Sequence, residues 1–194
     1  MKYIINLILL AAIVVAGYLL YSGINEPIAF NSQKEARKNA VADRLIQIRE
    51  SQEIYRSITG EFAHNFDTLV QVLKTDSIPF VQVFEDPEDP TNEDKYVYKT
   101  LYSNALDSVM AMGINLDSLR YVPYAASGTT FDFYGDTMTY QKTIVSVTEV
   151  GTRWKNFMGE YADPRFRKYD QSYDPERMIK FGDRNSPNLS GNWE

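Results

Sequence analysis

The longest apolar run of the chain lies at its N-terminus. No side chain between Lys2 and Glu26 is charged, and Tyr3 to Tyr21 is almost wholly apolar. An α-helix rises 1.5 Å per residue, so about 20 such residues cover a hydrocarbon core about 30 Å thick. The pattern predicts an uncleaved transmembrane anchor over residues 1–24. The alternative, a cleaved secretory signal, needs a small-x-small cleavage site, of which the run contains only a poor imitation.

Two observations bear on the side of the membrane on which the rest of the chain lies, and they favour opposite sides. Lys34, Arg37 and Lys38 follow the span closely, and basic residues near a span favour the cytoplasm. Long domains, however, cross the membrane largely regardless of charge, and a two-residue tail before the apolar run suits a signal anchor. We therefore expect a single-pass protein of the inner (cytoplasmic) membrane whose soluble domain is periplasmic.

The pattern changes after the anchor. Asn25-Glu26-Pro27 predicts an interruption of the helix, because proline lacks the backbone N–H and clashes with the preceding turn. We therefore divide the chain into the anchor, a linker or kink over residues 25–31, and one soluble domain over residues 32–194. About 160 residues are enough to bury a sizeable core in one domain.

A long amphipathic helix is predicted at the start of that domain. Ser32 and Glu35 have the spacing of a capping box, and Gly60 marks the end of a helix that covers Ala36 to Thr59. Its apolar residues recur at helical spacing: Val41, Leu45, Ile48 and Tyr55. The C-terminal half of this stripe is denser, so we expect residues 45–58 to pack within the domain and residues 35–42 to be free for partners.

Shorter elements follow along the chain. Asn65 predicts the N-cap of a helix that carries Phe66, Leu69, Val70 and Leu73, and Gly113 ends another over Ser103–Met112. Alternation and turn residues such as Gly135-Asp136 predict strands over Ile78–Phe84, Lys95–Tyr102, Tyr121–Tyr124, Phe131–Tyr134, Thr137–Gln141 and Thr143–Val150. A short helix is predicted from Trp154 to Tyr161, and the polar tail Asp163–Glu194 is predicted to be ordered but irregular. The fold class is therefore α+β, with the long helix packed on an antiparallel meander.

Composition excludes several classes of function. The net charge of −6 repels phosphate backbones, so nucleic acid is not an expected partner. The chain has no cysteine, which excludes disulfides, thiolate zinc sites and cysteine nucleophiles. His64 is the only histidine and has no apparent catalytic partners. Asp132, Asp136 and Glu149 are explained by strand and turn positions, so we expect no enzyme and no cofactor.

One acidic loop is a candidate for calcium. Hard cations take six to eight oxygen ligands from flexible carboxylate loops, but this loop lacks the EF-hand spacing and its glycine. A solvated acidic loop is the simpler interpretation, and we expect no metal site. Its acidic residues are Glu85, Asp86, Glu88, Asp89, Glu93 and Asp94.

Tyrosine is unusually frequent. The chain has 14 tyrosines, and one cluster comprises Tyr96, Tyr98 and Tyr102. Tyrosine suits protein contact surfaces, which are half apolar and half wet, although β-propensity alone also enriches it. As candidate partner-contact residues we select Val41, Tyr121, Tyr124, Tyr134 and Trp193.

Two resemblances follow from motifs along the chain. The apolar helix, the proline and the long helix are followed by Tyr55, Gly60 and Phe62 and by Phe66-Asp67-Thr68-Leu69. This order resembles type IV pilin-like proteins, especially the pseudopilins of type II secretion. The leader glycine and early glutamate of prepilins are missing from Met1 to Tyr21, which argues against prepilin processing and pilus-type assembly.

The second resemblance covers nearly the whole chain. The stretches Ile48–Leu73, Asp117–Tyr124 and Gly191–Glu194 resemble a family of single-pass envelope proteins of Bacteroidota that has no assigned activity. This resemblance implies an envelope location. We expect a non-enzymatic, pseudopilin-like structural or accessory subunit of a cell-envelope assembly, with membrane lipid and other envelope proteins as partners. The alternative is a free-standing membrane-anchored module that binds peptide, glycan or calcium.

Overall fold

A computed structural model describes residues 2–85 and 96–193, and its longest element is a single N-terminal helix. Helix α1 covers Lys2–Thr59 without a break. Its N-terminal part is long and apolar enough to cross a membrane, and none of that part is buried against the rest of the protein. The division between anchor and soluble domain therefore falls inside one helix.

The predicted interruption at Pro27 is wrong, because residues 25–31 are helical throughout. Proline removes only one helical hydrogen bond, the one its own N–H would donate to the carbonyl of Gly23. The flanking turns are held by other contacts: Phe30 is fully buried, and Glu26 accepts a hydrogen bond from Tyr169. The predicted capping box is also wrong, since the helix is already formed at Ser32.

The buried stripe of α1 is longer than predicted. Ser51 and Gln52 are buried alongside the apolar positions, and Gln52 exchanges hydrogen bonds with the backbone N–H and carbonyl of Ala63. A buried amide that is fully paired in this way joins the helix to the connection that follows it. Gly60 ends the helix at φ +86°. The buried apolar residues of the helix are Phe30, Val41, Ala42, Leu45, Ile48 and Tyr55.

Two helices and a β-ribbon follow α1. Helix α2 covers Phe66–Thr75 and starts as predicted, because the Asn65 side chain accepts from the Thr68 N–H at 2.8 Å. Strands β1 (Ser77–Glu85) and β2 (Tyr96–Asn104) pair antiparallel as a two-stranded sheet. Helix α3 covers Ala105–Ala111 and is followed by Gly113 at φ +73°. Of the acidic loop over residues 85–94, Glu85 ends β1 and residues 86–94 lie outside the described residues.

A second sheet contains three antiparallel strands in sequence order. They are β3 (Asp132–Tyr140), β4 (Thr143–Arg153) and β5 (Met178–Gly182). The predicted turn at Gly135-Asp136 is wrong, since β3 runs straight through it. The chain turns instead at Gln141 and Lys142, both at positive φ. A strand over Tyr121–Tyr124 is also wrong, because only Tyr121 forms an isolated bridge, with Thr130.

The C-terminal tail contains more regular secondary structure than predicted. Helix α4 (Trp154–Met158) leads into 3-10 helices over Gly159–Tyr161 and Pro164–Lys168, and the tail then adds β5 to the sheet. Phe166, Ile179 and Phe181 belong to the same core cluster as Leu45 and Ile48 of α1. The fold is thus α+β with a long N-terminal helix and two small antiparallel sheets, rather than one meander.

Candidate functional site

Strands β1 and β2 form a two-stranded ribbon. Both faces of this ribbon are exposed to solvent, one more than the other. In the part of the chain that the structure describes, no third strand pairs with it. Each strand therefore presents an unpaired row of backbone groups along its outer edge. Such edges are templates for pairing with another chain unless something covers them.

One face of the ribbon is apolar, aromatic and open. Val81 pairs with Thr100, Val83 with Tyr98, and Pro79 with Tyr102, and directly paired residues project from the same face. Val81 and Val83 are 60% and 50% exposed, and Tyr98 and Tyr102 are 69% and 71% exposed. We name Val81, Val83, Tyr98 and Tyr102 the ribbon face. Exposed apolar patches are candidate interaction sites in soluble domains.

The base of the ribbon is fixed to the domain. The Asp76 N–H caps α2 by donating to the Val72 carbonyl at 2.9 Å, and the Asp76 carbonyl accepts from the Ala105 N–H at 3.1 Å. The two ends of the ribbon are therefore joined at the point where α2 ends and α3 begins. Ile78, on the opposite face, packs against the core cluster. The base of the ribbon is thus held to the domain by backbone hydrogen bonds and by the packing of Ile78.

A cavity of about 230 Å³ forms a second candidate site, between α1 and the C-terminal tail. It lies where the tail strand β5 and the residues before it meet the middle of α1. Charged side chains stand beside indole and phenol rings in its wall. Its lining includes Lys34, Lys38, Trp154, Tyr173, Arg177 and Trp193.

Several charges in the cavity wall are paired. Lys34 Nζ lies 2.8 Å from Asp170 Oδ2, and Ser172 donates its N–H and its hydroxyl to Asp170 Oδ1 at 2.9 and 2.7 Å. The hydrogen bond from Lys34 and those from Ser172 lower the pKa of Asp170 to about 2. Burial raises the pKa of Tyr173 to about 12, and its hydroxyl donates to the Tyr161 carbonyl at 2.7 Å. Both groups are therefore engaged in contacts within the protein.

The carboxylates and the histidine considered from the sequence have structural contacts. Glu149 is held by Lys180 and by Arg184, whose Nε lies 2.7 Å from Oε1. Asp136 accepts from the Thr137 N–H at 2.7 Å. The Nδ1 of His64 lies 2.6 Å from the Gly135 carbonyl, which ties the start of α2 to β3. Among the described residues, no group of three or more histidine, aspartate and glutamate side chains is arranged to hold a metal ion.

The predicted partner-contact residues do not share one environment. Val41 is wrong as a contact residue, because it is fully buried in the core. Tyr121 and Tyr124 are exposed, with Arg37 of α1 over the Tyr124 ring at 5.5 Å. Tyr134 is half-buried beneath Arg184, and Trp193 is half-buried against Gly191 in the cavity wall.

The sequence interpretation did not select the ribbon face. The tyrosine cluster that includes Tyr98 and Tyr102 was visible in the sequence, and its even spacing within one strand places both on one face. What the sequence lacked was the register, which brings Val81 and Val83 to the same face.

No protein-family model, curated protein or solved structure matches this chain. The pseudopilin-like order of elements and the likeness to single-pass envelope proteins of Bacteroidota stay hypotheses. The ribbon face, the cavity and the apolar helix are the features of this chain that bear on its function.

Proposed function

We propose that this protein is a non-enzymatic, membrane-anchored structural or accessory subunit of a bacterial cell-envelope assembly, and that it binds a partner protein through the ribbon face. The observation that carries the proposal is the exposure of four large side chains on one face of a ribbon whose base is hydrogen-bonded to the domain. Burying such side chains at an interface gains about 25 cal/mol for each Å² of apolar surface removed from water.

The ribbon supplies two kinds of contact to a partner. Its aromatic and branched side chains suit the centre of an interface, where tyrosine is enriched and charge is depleted. Its outer strand edges offer backbone donors and acceptors for an added strand of the partner. Because β1 and β2 are each nine residues long, an added strand can form a ladder of several hydrogen bonds.

The apolar part of α1 supports the location that the proposal requires. That part has the length and hydropathy of a membrane span. We propose a single-pass anchor in the inner membrane and a periplasmic domain, in which the partners are other envelope proteins. A domain anchored in the membrane diffuses in the same plane as partners in that membrane, which raises their effective concentration.

The test compares two charged substitutions in one strand. Val83→Asp places a carboxylate on the ribbon face, whereas Gln82→Asp places the same group on the opposite face and serves as the matched control. After extraction from membranes in mild detergent, the wild type and Gln82→Asp should migrate as an assembly of the same size. Val83→Asp should shift to a smaller species while its melting temperature stays near that of the control.

Two outcomes would oppose the proposal. A wild-type protein that migrates as a lone monomer would favour the alternative, a free-standing binding module. An assembly that survives Val83→Asp unchanged would remove the ribbon face as the docking surface.

The cavity is the observation that favours this alternative. Trp154 and Trp193 line it beside Lys34 and Asp170, and flat rings next to hydrogen-bonding groups suit a glycan or a peptide end. Under this alternative, Trp193→Ala would abolish binding of a peptide or glycan ligand without changing the size of the detergent-extracted species.

A further inference from the structure

The membrane-proximal part of α1 has two different faces. Ile24 and Ile28 are four residues apart, share one face and are 64% and 61% exposed. Glu26 and Phe30 share a second face, about 200° around the helix axis from the face of Ile24 and Ile28. Successive residues of an α-helix are about 100° apart around this axis. Phe30 is fully buried, so this second face is the one that meets the domain.

A turn of the C-terminal tail, around Phe166, packs on that second face. The ring of Phe166 stacks on the ring of Phe30, with the two centroids 5.1 Å apart. The Tyr169 hydroxyl donates a hydrogen bond to Glu26. Lys168 Nζ lies 3.2 Å from Glu26 Oε2. Because Phe166 is buried at this contact, the turn has a fixed position along the helix.

That position coincides with the lipid headgroups when the apolar run spans the bilayer. Glu26 follows Tyr21 by five residues, which is about 7.5 Å along the helix axis. The headgroup layer on each side of the hydrocarbon core is about 5–8 Å thick. The side chains packed around Glu26 are therefore held at headgroup level rather than in bulk solvent.

Three basic side chains of this turn are exposed, and we name these residues the basic turn: Arg165, Arg167 and Lys168. Two of them have acidic partners, since Lys168 pairs with Glu26 and Arg167 Nη2 lies 3.5 Å from Asp174. Among the described residues, no carboxylate lies within ion-pair distance of Arg165, whose guanidinium stands over the Phe166 ring at 4.7 Å. The Asp163 side chain is engaged in capping the Arg165 N–H at 2.8 Å.

We propose that the basic turn is a binding site for the phosphate of anionic phospholipid headgroups, with Arg165 as its main contact. An exposed arginine without a carboxylate partner has its donors available, and guanidinium binds phosphate with paired hydrogen bonds. The inference rests on the proposed membrane anchor. It adds that the domain lies against the bilayer surface at one defined site.

The experiment measures which lipids the full-length protein retains. The protein is solubilised in mixed micelles of detergent with phosphatidylcholine and phosphatidylglycerol, reconstituted into nanodiscs and repurified, and its lipids are counted by mass spectrometry. The wild type should be enriched in phosphatidylglycerol above the bulk ratio. Arg165→Gln should lower that enrichment by up to about five-fold, the effect expected of one basic residue at an anionic surface.

Two further variants make the result specific. Arg56→Gln is the matched control, because Arg56 is exposed, also stands over a phenylalanine ring, and lies 30 residues beyond Glu26 on the same helix. Its enrichment should equal that of the wild type. Arg165→Lys keeps the charge but loses the paired hydrogen bonds of the guanidinium, so its enrichment should fall between those of the wild type and Arg165→Gln.

The outcomes separate this inference from the anchor on which it rests. Incorporation into nanodiscs with equal enrichment in the wild type and Arg165→Gln would overturn the headgroup site and leave the anchor intact. Failure of the wild type to enter nanodiscs would overturn both.

Discussion

Position 41 shows how burial reverses an interpretation made from composition. Residues 35–42 contain few large apolar side chains, which suggested a surface free for partners. In the structure Val41 is fully buried, and flanking polar residues reach the tail: Arg37 donates to the Phe157 carbonyl at 2.9 Å and Lys34 pairs with Asp170. A sparse stripe is buried here because segments distant in the sequence pack against this part of the helix.

The first residue-scale prediction concerns Val41→Asp. An unpaired carboxylate in the core costs several kcal/mol, so the full-length protein in nonionic detergent should melt well below the wild type. Ile48→Ala, a truncation that leaves a cavity, should cost about 2–5 kcal/mol. Asp43→Ala is the exposed control and should change the stability by less than about 0.5 kcal/mol. Thermal unfolding followed by circular dichroism measures all three, and a wild-type melting temperature for Val41→Asp would contradict the burial of this site.

Glycine at position 135 explains one error of the sequence interpretation. Gly135-Asp136 has the composition of a turn, but a Cβ at Gly135 would lie 2.1 Å from the Ala63 carbonyl oxygen. Glycine is required there by close approach of another backbone segment, not by turn geometry. Composition alone does not distinguish these two reasons. The true turn uses Gln141 and Lys142, residues without a strong turn signature.

At the scale of elements, local patterns were sufficient for helices and insufficient for pairing. Helix α2 was predicted from its cap and its periodicity, both of which are properties of neighbouring residues. Strand β5 was missed, because five residues with two buried side chains give a weak alternation signal, and its pairing with β4 joins distant parts of the chain. The ribbon face depends on register in the same way.

The contact between the tail and α1 should depend on pH through Asp170. Its pKa is lowered to about 2 from an ordinary value of 3.8, so its ionised form stabilises the folded state. That stabilisation is fully present above about pH 4 and is lost as the pH falls towards 2. Asp170→Asn should therefore lower the melting temperature at pH 6, and the difference from the wild type should shrink between pH 4 and pH 2.

A second ion pair provides the control for this element. Asp117 pairs with Lys74 at 2.7 Å, but its side chain is 82% exposed. Exposed pairs contribute little to stability, so Asp117→Asn should lower the melting temperature much less at pH 6. Equal effects of the two substitutions would mean that Asp170 and Lys34 do not hold the tail to α1.

For the whole molecule, one continuous helix joins the apolar segment to the core. At 1.5 Å per residue the 58 residues of α1 extend about 87 Å, and the buried positions of its second half belong to the same helix as the apolar first half. The apolar segment and the amphipathic helix follow correctly from the sequence, but the break between them is wrong. The local effect of Pro27 predicts a break, and the contacts of the tail around Pro27 cannot be read from the sequence. If the apolar segment is an anchor, as we propose, it is continuous with a helix of the core.

The last prediction concerns the side of the membrane on which that domain lies. A domain of this length crosses the membrane largely regardless of the basic residues near its span, so we expect it outside the cytoplasm. A reporter that is active only outside the cytoplasm should therefore be active when fused after Glu194. The control carries Ile13→Arg and Val14→Arg, each of which costs about 2.5–3.5 kcal/mol at the centre of a span. This variant should leave the membrane fraction and lose reporter activity. A silent reporter on the unaltered span, together with an active cytoplasmic reporter at the same position, would place the domain in the cytoplasm and the basic turn at the inner leaflet.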